Sequence, residues 1–274
     1  MATLKKQNVH SDLLGDRVIF KVSFKRTFLS KRGLFTLIFS LLFALYPFIG
    51  LYQTLFNNDT IFHEGAMYSF HSFFSFMYEL VIIPLIIALF ASYIITEDID
   101  DKTITYWIVR PIRRSEIYLS KLLALVVGSF LIALIIESVN FLLFYIIAKV
   151  RREFIDLRLF LFHLIIIFII VLYYSTATSI ISLIFPFSTL TSILYIALWE
   201  LATYGALMDL GAKGIKWIFI HNYIVQIQNA TANIVFGFHY TIDMSIFSIV
   251  ILFIILFTIL SSLFIYLSKR KEYP

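Results

Sequence analysis

The amino-acid sequence predicts an all-α, polytopic membrane protein with six transmembrane helices, and three observations lead to this fold class. Hydrophobic residues make up 61% of the chain and charged residues only 14%, against about 45–50% and about 25% in an ordinary soluble domain. Six stretches reach the roughly 20 apolar residues that a helix needs to cross a bilayer. Lysine and arginine are also spread unevenly among the segments that join these stretches.

The six predicted spans form a single transmembrane domain over residues 1–274. They cover about 33–56, 77–96, 119–148, 159–185, 189–208 and 244–268. A turn must separate the fourth from the fifth, because the 41 residues from Leu159 to Trp199 contain no Asp, Glu, Lys or Arg and one crossing holds only about 20 residues. Pro186 marks this turn, since proline breaks a helix and disfavours helical dihedrals in the residue before it.

The distribution of basic residues predicts that both termini lie inside the cell. With six spans, the inner segments hold 16 of the 22 Lys and Arg residues and the outer segments hold 6. Such an excess on the cytoplasmic side is typical of membrane proteins. The outer loop 149–158 departs from the rule with four basic residues, partly offset by Glu153 and Asp156. We therefore expect a multi-pass protein of the cell (plasma) membrane, in contact with its lipids, with both ends cytoplasmic.

Two segments outside the spans have apolar patterns of their own. Residues about 16–32 intersperse Val and Phe with six Lys and Arg residues, a pattern typical of a basic amphipathic helix on the inner membrane surface. The outer loop 209–243 contains two apolar stretches, each too short to cross the membrane. We expect these stretches to form short helices in the outer interface, which accommodates Trp217, Tyr223 and Tyr240 well.

Few ionisable residues fall inside the predicted spans, and these residues point to function because a charge in a bilayer is expensive. Glu137 and Asn140 share one helix face, and Glu200 lies near the middle of the fifth span. These three are candidates for a polar pathway or for polar contacts between helices. The alternative role is structural: a protonated carboxyl group hydrogen-bonded to a neighbouring helix. Glu79 and His163 lie near span ends, where we expect them to face lipid headgroups.

The sequence lacks the patterns of several enzymes and binding sites. It has no cysteine, no phosphate-binding glycine loop, no His-Glu-x-x-His pattern and no Gly-x-Ser-x-Gly elbow. His63 and His71 share a predicted outer loop, but two imidazoles eight residues apart are a weak metal signal. We therefore expect no catalytic, metal-binding or cofactor-binding residues in this chain, and no nucleic-acid partner.

The densest group of charges lies between the second and third spans, in residues 97–121. Acidic residues come first and basic residues come last. Between them Tyr106 and Trp107 stand at helical spacing from Ile99, which predicts an amphipathic helix from Asp98 to about Val109 with acidic residues in its first turn. A solvated loop has no need of these aromatic side chains. A short helix docked on another protein explains both the charges and the aromatic residues.

This segment resembles the cytoplasmic segment of the type 2 ABC permeases, which are membrane subunits of ATP-binding-cassette exporters. In that family an acidic residue is followed by Gly-Thr, an apolar stretch, Arg-Pro, a spaced Arg and a later Lys. The residues that match this pattern are Glu97, Thr103, Arg110, Pro111, Arg114 and Lys121. Lys102 stands where the family usually has Gly. The basic amphipathic segment, the six spans and the long last outer loop extend the resemblance over nearly the whole chain.

The resemblance implies that residues 97–118 contain a coupling helix seated on a separate cytoplasmic ATPase. The coupling residues would be Glu97, Asp98, Thr103, Tyr106, Trp107, Arg110, Pro111, Arg114 and Lys121. It also implies a second permease chain, identical or different, with ATP and magnesium bound on the ATPases and no cofactor on this chain. The chain would then act in ATP-driven export without ATPase activity of its own.

Two other functions stay open from the residues alone. One is a structural subunit of a larger membrane complex. The other is a membrane-embedded enzyme that uses Glu137, Asn140 and Glu200 in an internal cavity. Dependence on a partner separates these functions, because a permease of this kind needs an ATPase for its activity.

Overall fold

The computed structural model describes residues 17–42, 47–50, 52, 65–100, 114–185, 187–203, 220–237 and 245–270. Helices account for the regular structure in these ranges. They are α1 (residues 17–28), α2 (Lys31–Leu41), α3 (Ala66–Phe73), α4 (Ile83–Asp100), α5 (Arg114–Arg151), α6 (Leu157–Ile184), α7 (Ser188–Leu194), α8 (Ile220–Phe236) and α9 (Ile246–Arg270). Two π-helical segments complete the set: π1 (Phe74–Ile82) joins α3 to α4, and π2 (Tyr195–Thr203) extends α7.

Four helices within the described ranges are long and apolar enough to cross a membrane: Ala66–Ile95, Ser115–Arg151, Leu157–Ile184 and Phe247–Arg270. They correspond to the predicted second, third, fourth and sixth spans. The helix that contains the second predicted span begins at Ala66, eleven residues before the predicted start of the span at Met77. The first and fifth spans are represented by α2 and by α7 with π2, and their remaining residues lie outside the described ranges. The count of six therefore stays a prediction.

The turn predicted between the fourth and fifth spans is confirmed. Helix α6 ends at Ile184, and Phe185 has extended backbone angles, φ −103° and ψ 136°. This is the conformation that a following proline favours in the residue before it. The chain re-enters a helix at Ser188, so α6 and α7 are separate helices and the break falls where the sequence predicts the turn.

Helices α4 and α6 form the centre of the bundle. Helix α4 makes its most extensive contact with α6 and also packs against α5 and α7. Ala88 and Ala91 of α4 are fully buried, and such small side chains let transmembrane helices approach closely. Helix α9 lies at the edge, where Phe247, Ile254 and Ile259 are exposed. In a bilayer these apolar side chains face lipid or another chain.

Contacts of Phe28 fix which elements share one end of the bundle. Its ring lies 4.6 Å from the ring of Phe90 on α4 and rests on Gly128 of α5, where a methyl group would overlap it. Thr189 at the start of α7 donates a hydrogen bond to the Ser92 hydroxyl on α4 at 2.6 Å. Helix α1 therefore packs in the half of the bundle where α4 ends and α5 and α7 begin.

The opposite end is organised by Glu153, in the loop between α5 and α6. Its carboxylate accepts a hydrogen bond from the backbone N–H of Ala66, the first residue of α3, at 2.6 Å. A carboxylate at a helix N-terminus satisfies a free donor and interacts favourably with the helix dipole. Glu153 also pairs with Arg151 at 2.7 Å, and Asp156 lies 3.8 Å from Arg158. The acidic residues thus offset this basic loop through direct ion pairs.

Helix α8 corrects the prediction for the outer loop. In place of two short interfacial helices, one continuous helix runs from Ile220 to Phe236. Its side chains Asn222, Gln226 and Gln228 are buried in the bundle. The polar run around Gln228 separated the two apolar stretches in the sequence, although in the structure these amides face the protein interior.

The predicted orientation can be tested by cysteine labelling, because the chain has no cysteine of its own. We expect a membrane-impermeant maleimide to label Asn58→Cys in intact cells, since this position precedes α3 at the outer end. Lys102→Cys, in the segment between α4 and α5, should react only after the membrane is permeabilised. The reverse pattern would show that the basic residues do not set the orientation as proposed.

The seat of Phe28 on Gly128 predicts that Gly128→Ala destabilises the protein by about 1–3 kcal/mol, a typical effect of overpacking. Denaturant unfolding in detergent micelles measures the change. Phe28→Ala in the same chain should recover part of the loss, because the truncated side chain leaves room for the new methyl group. Additive effects of the two substitutions would show that these residues are not in contact.

Candidate functional site

A buried chain of hydrogen bonds, called the Glu79 chain below, joins His71 of α3, Glu79 of π1, His163 of α6 and Gln228 of α8. The Oε1 atom of Glu79 lies 2.7 Å from Nδ1 of His163, and neither side chain is exposed. The other ring nitrogen of His163, Nε2, lies 3.2 Å from Nδ1 of His71. On the far side, the amide of Gln228 donates a hydrogen bond to Oε2 of Glu79. One carboxyl group thus connects residues from three separate parts of the chain.

Local structure positions the members of this chain. Glu79 belongs to π1, and π-helical turns are frequent at functional sites. The imidazole of His163 packs edge-on to Phe70, with ring centroids 5.3 Å apart, and also lies against Phe74 at 5.7 Å. These aromatic contacts hold the imidazole plane, so that Nδ1 points to Glu79 and Nε2 to His71.

The donor and acceptor roles follow from what each group can do. A carboxylate only accepts hydrogen bonds, so an ionised Glu79 accepts from the Nδ1–H of His163 and from the amide of Gln228. The Nε2 atom of a neutral His163 then accepts from the Nδ1–H of His71, whose Nδ1 also lies 3.4 Å from the Ser75 hydroxyl. The side-chain polar atoms of Glu79 and His163 all have partners in this assignment, which rests on the network itself.

The predicted candidates Glu137 and Asn140 lie on the face of α5 that is buried, and neither side chain is exposed. The Asn140 amide donates to the backbone carbonyl of Ile136 at 2.9 Å. Among the described residues, both carboxyl oxygens of Glu137 lack a hydrogen-bond partner. Glu137 is near enough to Glu79 and Tyr78 to interact with them electrostatically. A second carboxyl group therefore stands beside the Glu79 chain.

Glu200, the third predicted candidate, belongs to a cluster with tyrosines. The Tyr195 hydroxyl donates to Oε1 of Glu200 at 2.6 Å, a contact between residues five apart that the π-helical turn of π2 favours. Tyr173 and Tyr174 of α6 also interact electrostatically with Glu200. The three predicted residues therefore divide between two buried clusters: Glu137 and Asn140 lie beside the Glu79 chain, and Glu200 lies among tyrosines.

Only part of the predicted coupling segment lies in the described residues. Glu97 and Asp98 belong to the last turns of α4, and Arg114 is the first residue of α5. Lys121 follows two turns later and is buried. The remaining predicted coupling residues, Thr103, Tyr106, Trp107, Arg110 and Pro111, lie outside the described residues.

Sequence reasoning missed the Glu79 chain. The prediction that Glu79 and His163 face lipid headgroups was wrong, because each is buried and satisfies the other. His71 lies in α3 and not in a loop, since that helix begins well before Met77. The sequence did contain a usable indication: Glu79 and His163 fall in two different predicted spans, and an acidic and a basic side chain inside the membrane are expected to pair. Gln228 gave no signal, because it fell in a predicted outer loop.

Loss of His163 should destabilise the protein strongly, because it would leave the Glu79 carboxylate buried without its imidazole donor. We expect His163→Leu to lower the free energy of unfolding by about 1–3 kcal/mol or more, the usual effect of leaving a buried acceptor without its donor. Denaturant unfolding in detergent micelles measures this. Leu161→Ala is the matched control, because Leu161 lies on the exposed face of the same helix. Equal losses in the two variants would contradict a special role for the pair.

Comparison with known proteins identifies the family to which the chain belongs. Residues 29–201 match the model of the family described as ABC-2 family transporter protein. The match includes Glu79, Glu137, His163 and Glu200, whereas Gln228 lies beyond it. Comparison with curated proteins gave no match. Since the matched residues make up more than half of the chain, and since the described residues form an apolar helical bundle, the chain belongs to the ABC-2 transporter family and is a membrane permease of an ABC transporter.

Proposed function

We propose that the chain is the membrane-spanning subunit of an ATP-dependent exporter and couples to a separate cytoplasmic ABC ATPase through residues 97–118. Membership of the family supports an ATPase partner. The sorted charges and the aromatic residues Tyr106 and Trp107 support a docking helix within this segment. ATP and magnesium would be bound by the ATPase, and this chain would supply the path across the plasma membrane.

The observation that carries the proposal is that α4 ends and α5 begins in the same half of the bundle as the basic helix α1. Residues 101–113 connect the end of α4 to the start of α5, and the basic helix α1 packs in the same half through Phe28. A basic amphipathic helix favours the anionic cytoplasmic surface of the membrane. This location of α1 supports a cytoplasmic position for the segment, on the side where a soluble ATPase would reach it.

The architecture also supports a route for force from the ATPase. Helix α4 continues through π1 into α3 without interruption, so one rod connects the coupling segment to Glu79. Because α4 packs most extensively against α6, a tilt of α4 acts directly on the helix that carries His163. Movement imposed at the cytoplasmic end would thus reach the buried hydrogen-bond chain.

A second permease chain completes the proposed complex. The apolar residues on the exposed face of α9, among them Phe247, Ile254 and Ile259, can face either lipid or another membrane chain. Two permease chains with two ATPases would enclose a pathway between them, and opening of this pathway would follow ATP binding and hydrolysis. Whether the two chains are identical is decided by co-expression of differently tagged copies.

The proposal predicts that Trp107→Asp and Arg110→Glu each prevent association with the ATPase. The tagged chain is purified from its native membrane in mild detergent, and the amount of bound ATPase and its activity are measured. We expect at least a tenfold loss of bound ATPase, equivalent to about 1.4 kcal/mol or more of binding free energy. The reason is that one change puts a charge into an apolar contact and the other reverses a charge at the docking surface.

Arg158→Glu is the matched control for these variants. Arg158 is exposed at the opposite end of the bundle, so this charge reversal should leave the association with the ATPase intact. If Trp107→Asp and Arg110→Glu retained the ATPase as well as Arg158→Glu does, residues 97–118 would not be the coupling segment. If the isolated chain hydrolysed ATP, a separate ATPase partner would be unnecessary.

A further inference from the structure

The Glu79 chain leads to a cavity between α3 and α8. The cavity has a volume of about 220 Å³ and a largely apolar surface, to which Leu80 and Val225 contribute, and its polar lining residues are His71, Ser72, Ser75, Gln228 and Asn229. Since one water takes up about 30 Å³ in the liquid, several waters fit in it. Two members of the buried chain, His71 and Gln228, are thus also wall residues. His71 lies in the second turn of α3, close to the end that Glu153 caps.

Within the part of the chain that the structure describes, the packed helices supply no permanent cation to Glu79. No Lys or Arg occurs in the stretches 66–96, 122–148, 159–199 and 217–268 that supply the packed helices. Among the described side chains, the titratable groups that face this chain of hydrogen bonds are Tyr78 from π1, Glu137 from α5 and the two imidazoles. The described side chain of α8 that reaches Glu79 is the neutral Gln228. With both imidazoles neutral, an ionised Glu79 leaves one uncompensated negative charge in an apolar bundle, which is unfavourable.

We propose that Glu79, His163 and His71 form a proton-binding site that is loaded from the cavity beside α8. A proton from cavity water binds Nε2 of His71. His71 then gives its Nδ1 proton to Nε2 of His163, and His163 gives its Nδ1 proton to Oε1 of Glu79. One proton enters, both imidazoles end neutral with their protons on the opposite nitrogens, and Glu79 becomes a neutral acid. The net charge of the cluster rises from minus one to zero.

Proton binding would change the attachment of α8. The amide of Gln228 donates to an ionised Glu79, and hydrogen bonds to a charged group are roughly twice as strong as those between neutral groups. When the proton reaches Glu79, this bond weakens while the other contacts of α8 stay in place. The site therefore links the proton occupancy of the bundle to the position of α8, independently of the proposed ATPase coupling.

Infrared difference spectroscopy of the full chain in lipid nanodiscs tests the proposal. Between about pH 8 and about pH 5, a range in which a carboxyl group in an apolar site can take up a proton, the wild type should gain a C=O band of a protonated carboxyl group. Glu79→Gln should lose this band. Gln228→Leu should keep it but at a shifted frequency, because the acid has lost one of its hydrogen-bond partners.

Two further carboxyl variants serve as controls. Glu200→Gln, in the tyrosine cluster, should leave the band unchanged. If the band persisted in Glu79→Gln and disappeared in Glu137→Gln, the proton would reside on Glu137 and the proposal would be wrong. A wild-type chain without any such band would overturn it as well.

A kinetic measurement covers the case in which Glu79→Gln does not fold. After a rapid drop in pH, His71→Gln should still gain the band, but about tenfold or more slowly, because the residue that passes protons from the cavity is gone. Ser72→Ala, a change in the same cavity wall that leaves the relay intact, should gain the band at the wild-type rate. An unchanged rate in His71→Gln would refute entry through this residue.

Discussion

A buried carboxylate must be satisfied by neighbouring groups, and in this bundle that requirement joins helices that are distant in sequence. Glu79 accepts hydrogen bonds from His163 on α6 and from Gln228 on α8. Neither donor can be withdrawn without leaving a polar group in an apolar interior, which is far more costly than the net gain from an ordinary hydrogen bond. The positions of α3, α6 and α8 relative to one another therefore depend on this one side chain.

The two ends of the bundle are set by different kinds of contact. At one end the contact is apolar packing: the ring of Phe28 lies on Gly128 and against Phe90. This packing holds the basic helix α1 in the half of the bundle where α4 ends. At the other end the contacts are electrostatic: Glu153 caps the N-terminus of α3 and forms an ion pair with Arg151. An apolar contact suits the part that lies within the bilayer, and an ion pair suits the end that meets water.

The sequence predicted the features that depend on composition and length, and it could not predict those that depend on helix packing. Apolar length and the missing charges between Leu159 and Trp199 were sufficient for the helical membrane class and for the turn at Pro186. The pairing of Glu79 with His163 joins residues 84 positions apart, and periodicity carries no information on such a contact when helices are apolar all round. Gln228 was beyond prediction, because a polar residue in a presumed loop is ordinary.

The two π-helical segments give the bundle a property that straight α-helices lack. An α-helix turns by about 100° for each residue, and a π-helical turn holds about one residue more than an α-helical turn. If π1 were to rewind as α-helix, the released residue would be absorbed by a rotation of α4 relative to α3 of roughly that angle. Glu79 in π1 and Glu200 in π2 thus lie at the points where each helix can rotate in this way. Such a rotation would also move the carboxyl group away from its present hydrogen-bond partner, so the two changes would occur together.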